Sequence, residues 1–154
     1  MRTKQSLDKG AHVLLVDDEA DILASLETLL AMMISDLTVH TARSGPAALE
    51  LLRSRTFDLI ITDYKMPGMT GLDFLAHVRL QNPNVPAILI TAFPDLEIAV
   101  RAINEARVQS FLQKPVDPQQ VLRVVGGILS AFGQRPIETT GIRPVESQRL
   151  QRLG

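Results

Sequence analysis

Five short apolar runs alternate along the chain with longer stretches in which apolar residues recur at helical spacing. The runs are too short for helices and several are rich in β-branched residues, so they are predicted to be strands. They cover residues 13–16, 37–41, 57–62, 87–90 and 108–112. Nearly continuous apolar strands separated by helices are typical of a parallel sheet with both faces covered. We therefore predict an α/β fold with a doubly wound five-stranded parallel sheet and helices on both faces.

The intervening stretches predict five helices. In the second, Ser44 is suited to the N-cap and Pro46 to the first turn, and in the fourth Pro94 is placed to begin the helix. The predicted helices cover residues 20–33, 44–53 and the regions around 72–78, 94–103 and 121–129. In such folds ligands bind outside the carboxyl ends of the strands, so functional side chains are expected there.

The composition limits the classes of function. A length of 154 residues suits one domain, and 45% hydrophobic with 21% charged residues is typical of a globular protein. The formal net charge of -1 gives no basic excess for direct binding of nucleic acid, and the absence of cysteine excludes thiolate metal sites and thiol nucleophiles. No stretch fits a signal peptide or a membrane span, so we expect a cytoplasmic protein without membrane contact.

The composition changes at both ends of the chain. Residues 1–10 are polar and are predicted to form an N-terminal extension. Residues 133–154 are polar and interrupted by Pro and Gly, which predicts a C-terminal tail or linker. The folded domain is therefore expected to span residues 11–132.

Polar side chains follow four of the predicted strands at their carboxyl ends. They are Asp17 and Asp18 after the first strand, Asp63 after the third, Thr91 after the fourth, and Lys114 with Pro115 after the fifth. Three carboxylates around one point repel each other unless a cation joins them, and an all-oxygen set suits Mg²⁺. A carboxylate here can attack phosphorus to form an acyl phosphate, provided that Mg²⁺ and Lys114 neutralise the phosphoryl oxygens and Thr91 donates a hydrogen bond.

Each of these residues also has an ordinary structural explanation when taken alone. Asp17 and Asp18 can cap a helix, Asp63 can belong to a turn, Thr91 can end a strand, and Lys114 can be a solvated surface residue. These explanations do not account for the placement of all five at the carboxyl ends of strands. The joint placement favours a functional site.

Residues 12–132 resemble the receiver domains of two-component response regulators. The resemblance rests on four segments in the order in which that family has them: residues 16–19, 63–71, 91–92 and 111–115. It implies the flavodoxin-like strand order 2-1-3-4-5. It also implies a phosphorylation-dependent signalling switch rather than an enzyme, with only Mg²⁺-dependent self-phosphorylation from a phosphodonor and slow self-dephosphorylation.

By this resemblance Asp63 takes the phosphoryl group from a sensor histidine kinase or a phosphotransfer protein. Asp17, Asp18, Asp63 itself and the backbone carbonyl of Lys65 position Mg²⁺. Lys114 pairs with the acyl phosphate.

The same resemblance assigns the switch to Thr91, which moves to bind a phosphoryl oxygen, and to Phe111, which rotates inward. The bond between Lys114 and Pro115 is expected to be cis. The face of the fourth helix, fifth strand and fifth helix is the expected output surface and a possible homodimer contact. Its candidate residues are Arg101, Glu105, Arg107 and Gln109. Many receivers have glycine at the position of Arg107, where a positive φ would cost about 1 kcal/mol.

Three other classes of protein fit these residues less well than a phosphorylated receiver domain. A receiver-like interaction module that is never phosphorylated would not require the complete set of acids, threonine and lysine. A phosphatase of the haloacid dehalogenase type carries a second aspartate two positions after the nucleophile, where this chain has Lys65. A dinucleotide-binding enzyme needs a glycine-rich turn after the first strand, where this chain has acids.

Overall fold

A computed structural model describes residues 10–92 and 95–132 of the chain. Five strands form one sheet: β1 (Ala11–Val16), β2 (Leu37–Ala42), β3 (Leu59–Asp63), β4 (Ala87–Thr91) and β5 (Ser110–Gln113). All neighbouring strands pair in parallel, in the order β2-β1-β3-β4-β5. The predicted sheet and strand order are confirmed. Most of the predicted N-terminal extension and the whole predicted tail lie outside the described residues.

Five helices connect the strands. They are α1 (Ala20–Met33), α2 (Gly45–Ser54), α3 (Gly71–Gln81), α4 (Leu96–Asn104) and α5 (Pro118–Phe132). Alternate strand residues point to opposite faces. Val13 and Leu15 therefore pack with α1 and α5, whereas Leu14 and Val16 pack on the face that carries α2 and α3. Among the described residues, no helix has the length and apolar content needed to cross a membrane.

Side chains cap the first turns of α2 and α4. The Ser44 hydroxyl accepts a hydrogen bond from the Ala47 amide at 3.2 Å, which confirms it as the N-cap of α2. At α4, the Asp95 carboxylate accepts from the Glu97 amide at 2.7 Å, and the helix begins at Leu96. The predicted start at Pro94 lies outside the described residues.

The predicted strand bounds differ from the observed ones by one or two residues, and β3 and β5 both begin two residues later than predicted because other hydrogen bonds fix their starts. β3 begins at Leu59 rather than at residue 57, since the Asp58 side chain accepts from the His12 amide at 2.7 Å. β5 begins at Ser110 rather than at residue 108, because the Val108 amide donates back to Ala102 at the end of α4. Arg107 has a φ of 52°, so the left-handed backbone considered for it is present.

Candidate functional site

A cleft of about 440 Å³ lies at the carboxyl ends of the strands. Asp18, Asp63, Thr91 and Lys114 line it, together with Lys65 from the loop after β3. The parallel sheet brings them together because each follows the end of a different strand or its connecting loop. The cleft therefore lies where the sequence predicts functional side chains, outside the carboxyl ends of the strands.

Lys114 stands between two buried carboxylates. Its Nζ lies 2.9 Å from Oδ2 of Asp17 and 3.1 Å from Oδ2 of Asp63. The side chains of Asp17 and Asp63 are 5% and 6% exposed, so water screens these contacts little. Glu19 approaches the same Nζ at 4.0 Å from the exposed rim. One cation therefore faces two buried carboxylates, which leaves an excess of negative charge.

The pKa values follow from this imbalance. Burial raises the pKa of Asp63 above its ordinary value and the Asp17 charge raises it further, while Lys114 lowers it only in part. Burial alone would lower the pKa of Lys114, but its hydrogen bonds and charge interactions with Asp17 and Asp63 together raise it. The lysine thus stays protonated, and the ionised form of Asp63 is disfavoured until another cation enters.

Backbone hydrogen bonds hold Asp63 in place. The amide of Tyr64 donates to the carbonyl of Ile90 at 2.8 Å and ties the end of β3 to β4. The amide of Gly71 donates to the carbonyl of Tyr64 at 2.7 Å and closes the loop that follows. Thr70 caps α3 by accepting from the Asp73 amide at 3.1 Å. The nucleophile candidate therefore sits on a strand end fixed from two directions.

Gly71 provides the close approach that this loop requires. A Cβ added to Gly71 would collide with the carbonyl oxygen of Asp63. We expect Gly71→Ala to lower the free energy of unfolding by about 2 kcal/mol, as overpacking of a dense interior does. Gly127→Ala is the matched control, because a Cβ there meets nothing within 4 Å and replaces glycine inside α5. Urea unfolding should show the control unchanged or stabilised, and equal stability of the two variants would contradict the argument.

Three acids can hold a metal ion in this cleft. Asp17, Asp18 and Asp63 each offer a carboxylate oxygen, and these oxygens lie within 4.8 Å of one another. Oxygen-only donors around a site with excess negative charge fit a hard divalent cation. The donor set is therefore suited to a metal ion.

The other predicted site residues have varied surroundings. Thr91 is buried at the end of β4 and lines the cleft, and Lys65 lines it with an exposed side chain. Phe111 is half-buried on β5 and packs against the core on the α2 and α3 side. The bond between Lys114 and Pro115 is cis.

Arg43 is a neighbour of the site that the sequence reasoning missed. It follows β2, and its Nη2 donates to the backbone carbonyl of Asp18 at 3.1 Å. The rule that polar residues at strand ends meet at one edge also applies to β2, so it would have pointed to Arg43.

The predicted output face carries exposed charged groups. Nε of Arg101 lies 3.3 Å from Oε2 of Glu105 on α4, and both side chains face solvent. Arg107 and Gln109 are also exposed. The face is therefore accessible, and nothing in its geometry selects one partner.

The chain matches a known family over most of its described length. The family profile of the response regulator receiver domain matches residues 13–126. The chain is also similar to response regulator protein PilR of Pseudomonas aeruginosa, with 38% identity over 116 residues that make up 75% of this chain and 25% of that protein. The DNA-binding transcriptional regulator NtrC of Escherichia coli is 35% identical over 123 residues, 80% of this chain and 26% of that protein.

Solved structures agree with these matches. The signal receiver domain of an HD domain-containing protein from Pseudomonas fluorescens Pf-5 superposes with a TM-score of 0.77 and 36% identity, over 82% of this chain and all of that one. Chemotaxis protein CheY4 of Vibrio cholerae superposes with a TM-score of 0.70 and 30% identity, over 75% of this chain and 96% of that one.

The chain belongs to the response regulator receiver domain family, whose members act in two-component systems. It spans about a quarter of the length of the curated relatives that it matches.

Proposed function

We propose that Asp63 accepts a phosphoryl group and that this chain is a phosphorylation-dependent switch in two-component signalling. The observation that carries the proposal is the position of Lys114 Nζ, 2.9 Å from Asp17 and 3.1 Å from Asp63, in a cleft with excess negative charge. A lysine held against a buried carboxylate is ready to neutralise a phosphoryl group that arrives on it.

Mg²⁺ is the proposed metal. Asp17, Asp18, Asp63 and the backbone carbonyl of Lys65 are the groups that would hold it. When bound, Mg²⁺ supplies positive charge to the phosphoryl oxygens and to the carboxylates around it. The three acids carry the support for this assignment, since their oxygens already lie within 4.8 Å of one another.

The proposed reaction is a displacement at phosphorus. A carboxylate oxygen of Asp63 forms the new O–P bond while the P–N bond of a phosphohistidine breaks, and the leaving nitrogen takes the bonding electron pair and a proton from solvent. Lys114 Nζ exchanges its contact with Asp63 for one with a phosphoryl oxygen, and the Thr91 hydroxyl donates to another. Asp17 keeps its hydrogen bond to Lys114 throughout and so orients it.

The switch is proposed to follow from these new contacts. A phosphoryl oxygen draws Thr91 toward Asp63, and the half-buried Phe111 rotates into the space that Thr91 leaves. The phosphoryl group shifts the population because it contacts one arrangement better than the other. Pro115, which follows Lys114 through a cis bond, is assigned to the same switch region.

The phosphodonor is proposed to be a sensor histidine kinase or a phosphotransfer protein. The domain proper is proposed to span residues 11–132. Its output face is proposed to be formed by α4, β5 and α5, where a second copy of the chain or a partner would bind. A formal net charge of -1 gives no support for direct contact with nucleic acid.

Chemical turnover is limited to self-phosphorylation and slow self-dephosphorylation, in keeping with a signalling role rather than an enzymatic one.

Incubation with phosphoramidate or acetyl phosphate tests the proposal. With Mg²⁺, intact mass measurement is expected to show the gain of one phosphoryl group. With a chelator in place of Mg²⁺ the adduct should form at least about 100-fold more slowly, because the charge on the phosphoryl oxygens is no longer neutralised. No adduct in Mg²⁺ would favour the interaction module that is never phosphorylated. Equal rates in the two buffers would remove the metal from the mechanism.

A further inference from the structure

Arg79, near the end of α3, is a buried cation outside the cleft. The residue is 9% exposed, and it forms no salt bridge in the part of the chain that the structure describes. Its Nε donates to the carbonyl of Ala106 at 2.7 Å, and its Nη1 donates to the carbonyl of Val85 at 2.6 Å. Longer contacts of 3.4 Å reach the carbonyls of Asn82, Pro83 and Arg107. Backbone oxygens therefore take the place of a counter-ion.

Four of these five oxygens lie just beyond two helix ends, and the fifth, that of Val85, lies just before β4. Asn82 and Pro83 follow α3, and Ala106 and Arg107 follow α4, so one guanidinium joins the segments at the negative ends of both helix dipoles. Burial and the nearby charge of Arg107 lower the pKa of Arg79, but an arginine remains charged in proteins. Arg79 thus joins the carboxyl-terminal ends of α3 and α4.

Several contacts hold the carboxyl-terminal end of α4 on the sheet. Beyond its carboxyl-terminal end, Ala106 is buried, the Val108 amide donates to Ala102, and the Gln109 amide donates to the carbonyl of Ala87 on β4. Within α4 only Ala102 is buried. The helix instead exposes three apolar side chains: Leu96 (82%), Val100 (45%) and Ile103 (59%).

The amino-terminal half of α4 also borders the cleft. Ile98 lines the cleft alongside Thr91 and Ala92. Sparse burial is a feature of a helix that can tilt at low cost. With Ile98 beside Thr91, the amino-terminal half of α4 is the part of this helix that lies next to the cleft.

We propose that Arg79 is the fixed point about which α4 turns when the cleft takes up a phosphoryl group. This inference rests on the proposed function for its trigger, although the fixed point itself belongs to the unmodified protein. Arg79 is a positioning residue: it touches neither Asp63 nor the phosphoryl group. It keeps the end of α4 on the sheet while the other end responds.

Amide hydrogen exchange measured by NMR tests the fixed point without any phosphodonor. In the wild type, the amides of Glu105, Ala106 and Val108 are expected to exchange about tenfold more slowly than those of residues 99–101. Arg79→Gln should remove this gradient, and Arg79→Lys, which keeps a charge but loses the guanidinium fork, should reduce it. Arg101→Gln is the matched control, since Arg101 lies on α4 with an exposed side chain, and it should keep the gradient.

Beryllofluoride with Mg²⁺, a mimic of the phosphoryl group, tests the turning motion. Amide shift changes in wild-type α4 should be at least about threefold larger in residues 96–101 than in 104–108, and in Arg79→Gln they should spread to both ends. If Arg79 only stabilised the fold, Arg79→Gln would lower the protection of amides from exchange, but the shift changes caused by beryllofluoride would stay in the same residues of α4. Equal exchange at both ends of wild-type α4 would overturn the proposal, whether or not the Arg79 variants fold. Loss of binding by the mimic, with the gradient intact, would count against the proposed function and leave the fixed point supported.

Discussion

Asp63→Asn is expected to abolish the phosphoryl adduct and, in metal-free buffer, to raise the midpoint of thermal unfolding. The adduct is lost because an amide cannot act as the nucleophile. The folded state becomes more stable because Asp63 is buried beside Asp17. The neutral asparagine removes the repulsion between the two carboxylates, while Lys114 keeps Asp17 as its partner. A gain of about 1 kcal/mol, which corresponds to several degrees for a domain of this size, is within the usual range for stabilising substitutions.

The stabilisation expected from Asp63→Asn should depend on pH in a definite direction. The folded-state pKa of Asp63 is raised above its unfolded value, so the folded protein favours the protonated acid. The cost of ionising Asp63 is therefore absent below the unfolded pKa, grows as pH rises toward the folded pKa, and remains above it. The difference in unfolding free energy between Asp63→Asn and the wild type should therefore increase as pH rises from the unfolded pKa to the folded pKa of Asp63.

Asp21→Asn is the control for Asp63→Asn, because Asp21 is an exposed acid in the first turn of α1. It should keep the adduct and gain no stability. If Asp63→Asn still forms the adduct at the wild-type rate, Asp63 is not the acceptor. If it unfolds at a lower temperature than the wild type in metal-free buffer, the electrostatic description of the cleft is wrong.

Lys114→Met is expected to slow phosphoryl transfer from phosphoramidate by about 100-fold or more. The change removes the cation that would neutralise a phosphoryl oxygen, and the loss of one such group usually has an effect of this size. It also leaves Asp17 and Asp63 buried without their shared partner. Removing one member of a buried ion pair is costly, and with Lys114 15% exposed we expect a loss of about 2 kcal/mol in unfolding free energy at neutral pH.

Two comparisons isolate the role of Lys114. Lys65→Met removes an exposed lysine from the same cleft and should change stability little. Mg²⁺ should restore part of the stability of Lys114→Met, because it supplies a cation to the same carboxylates. A transfer rate equal to that of the wild type would contradict the assigned role of Lys114, and equal stability would show that the carboxylates do not need its charge.

The sequence specified the sheet well because burial on both faces leaves a simple signal. Runs such as residues 13–16 are apolar throughout, which predicts strands buried on both faces. The site was predictable because Asp17, Asp63, Thr91 and Lys114 lie at or just beyond the carboxyl ends of predicted strands. Parallel pairing places those ends at one edge of the sheet, and the resemblance to receiver domains supplied the strand order that makes them neighbours.

Other features depend on contacts between residues far apart in the chain. The start of β5 was misplaced because the Val108 amide bonds back to α4, which no local pattern reveals. Arg79 stands in the last turn of α3, where a basic residue is ordinary, and its contact with the carbonyl of Ala106 joins residues that are 27 positions apart. Tertiary hydrogen bonds to the backbone leave no signature in composition or periodicity.

If Asp63 carries the phosphoryl group, a chemical label placed on the acyl phosphate must be found at that residue. Borohydride reduces an acyl phosphate but not a free carboxylate, so the phosphorylated residue is converted to homoserine and can be located by peptide mass spectrometry. We expect homoserine at position 63 after incubation with phosphoramidate and Mg²⁺, and none without the phosphodonor. Homoserine at Asp17 or Asp18 instead, or at no position, would contradict it.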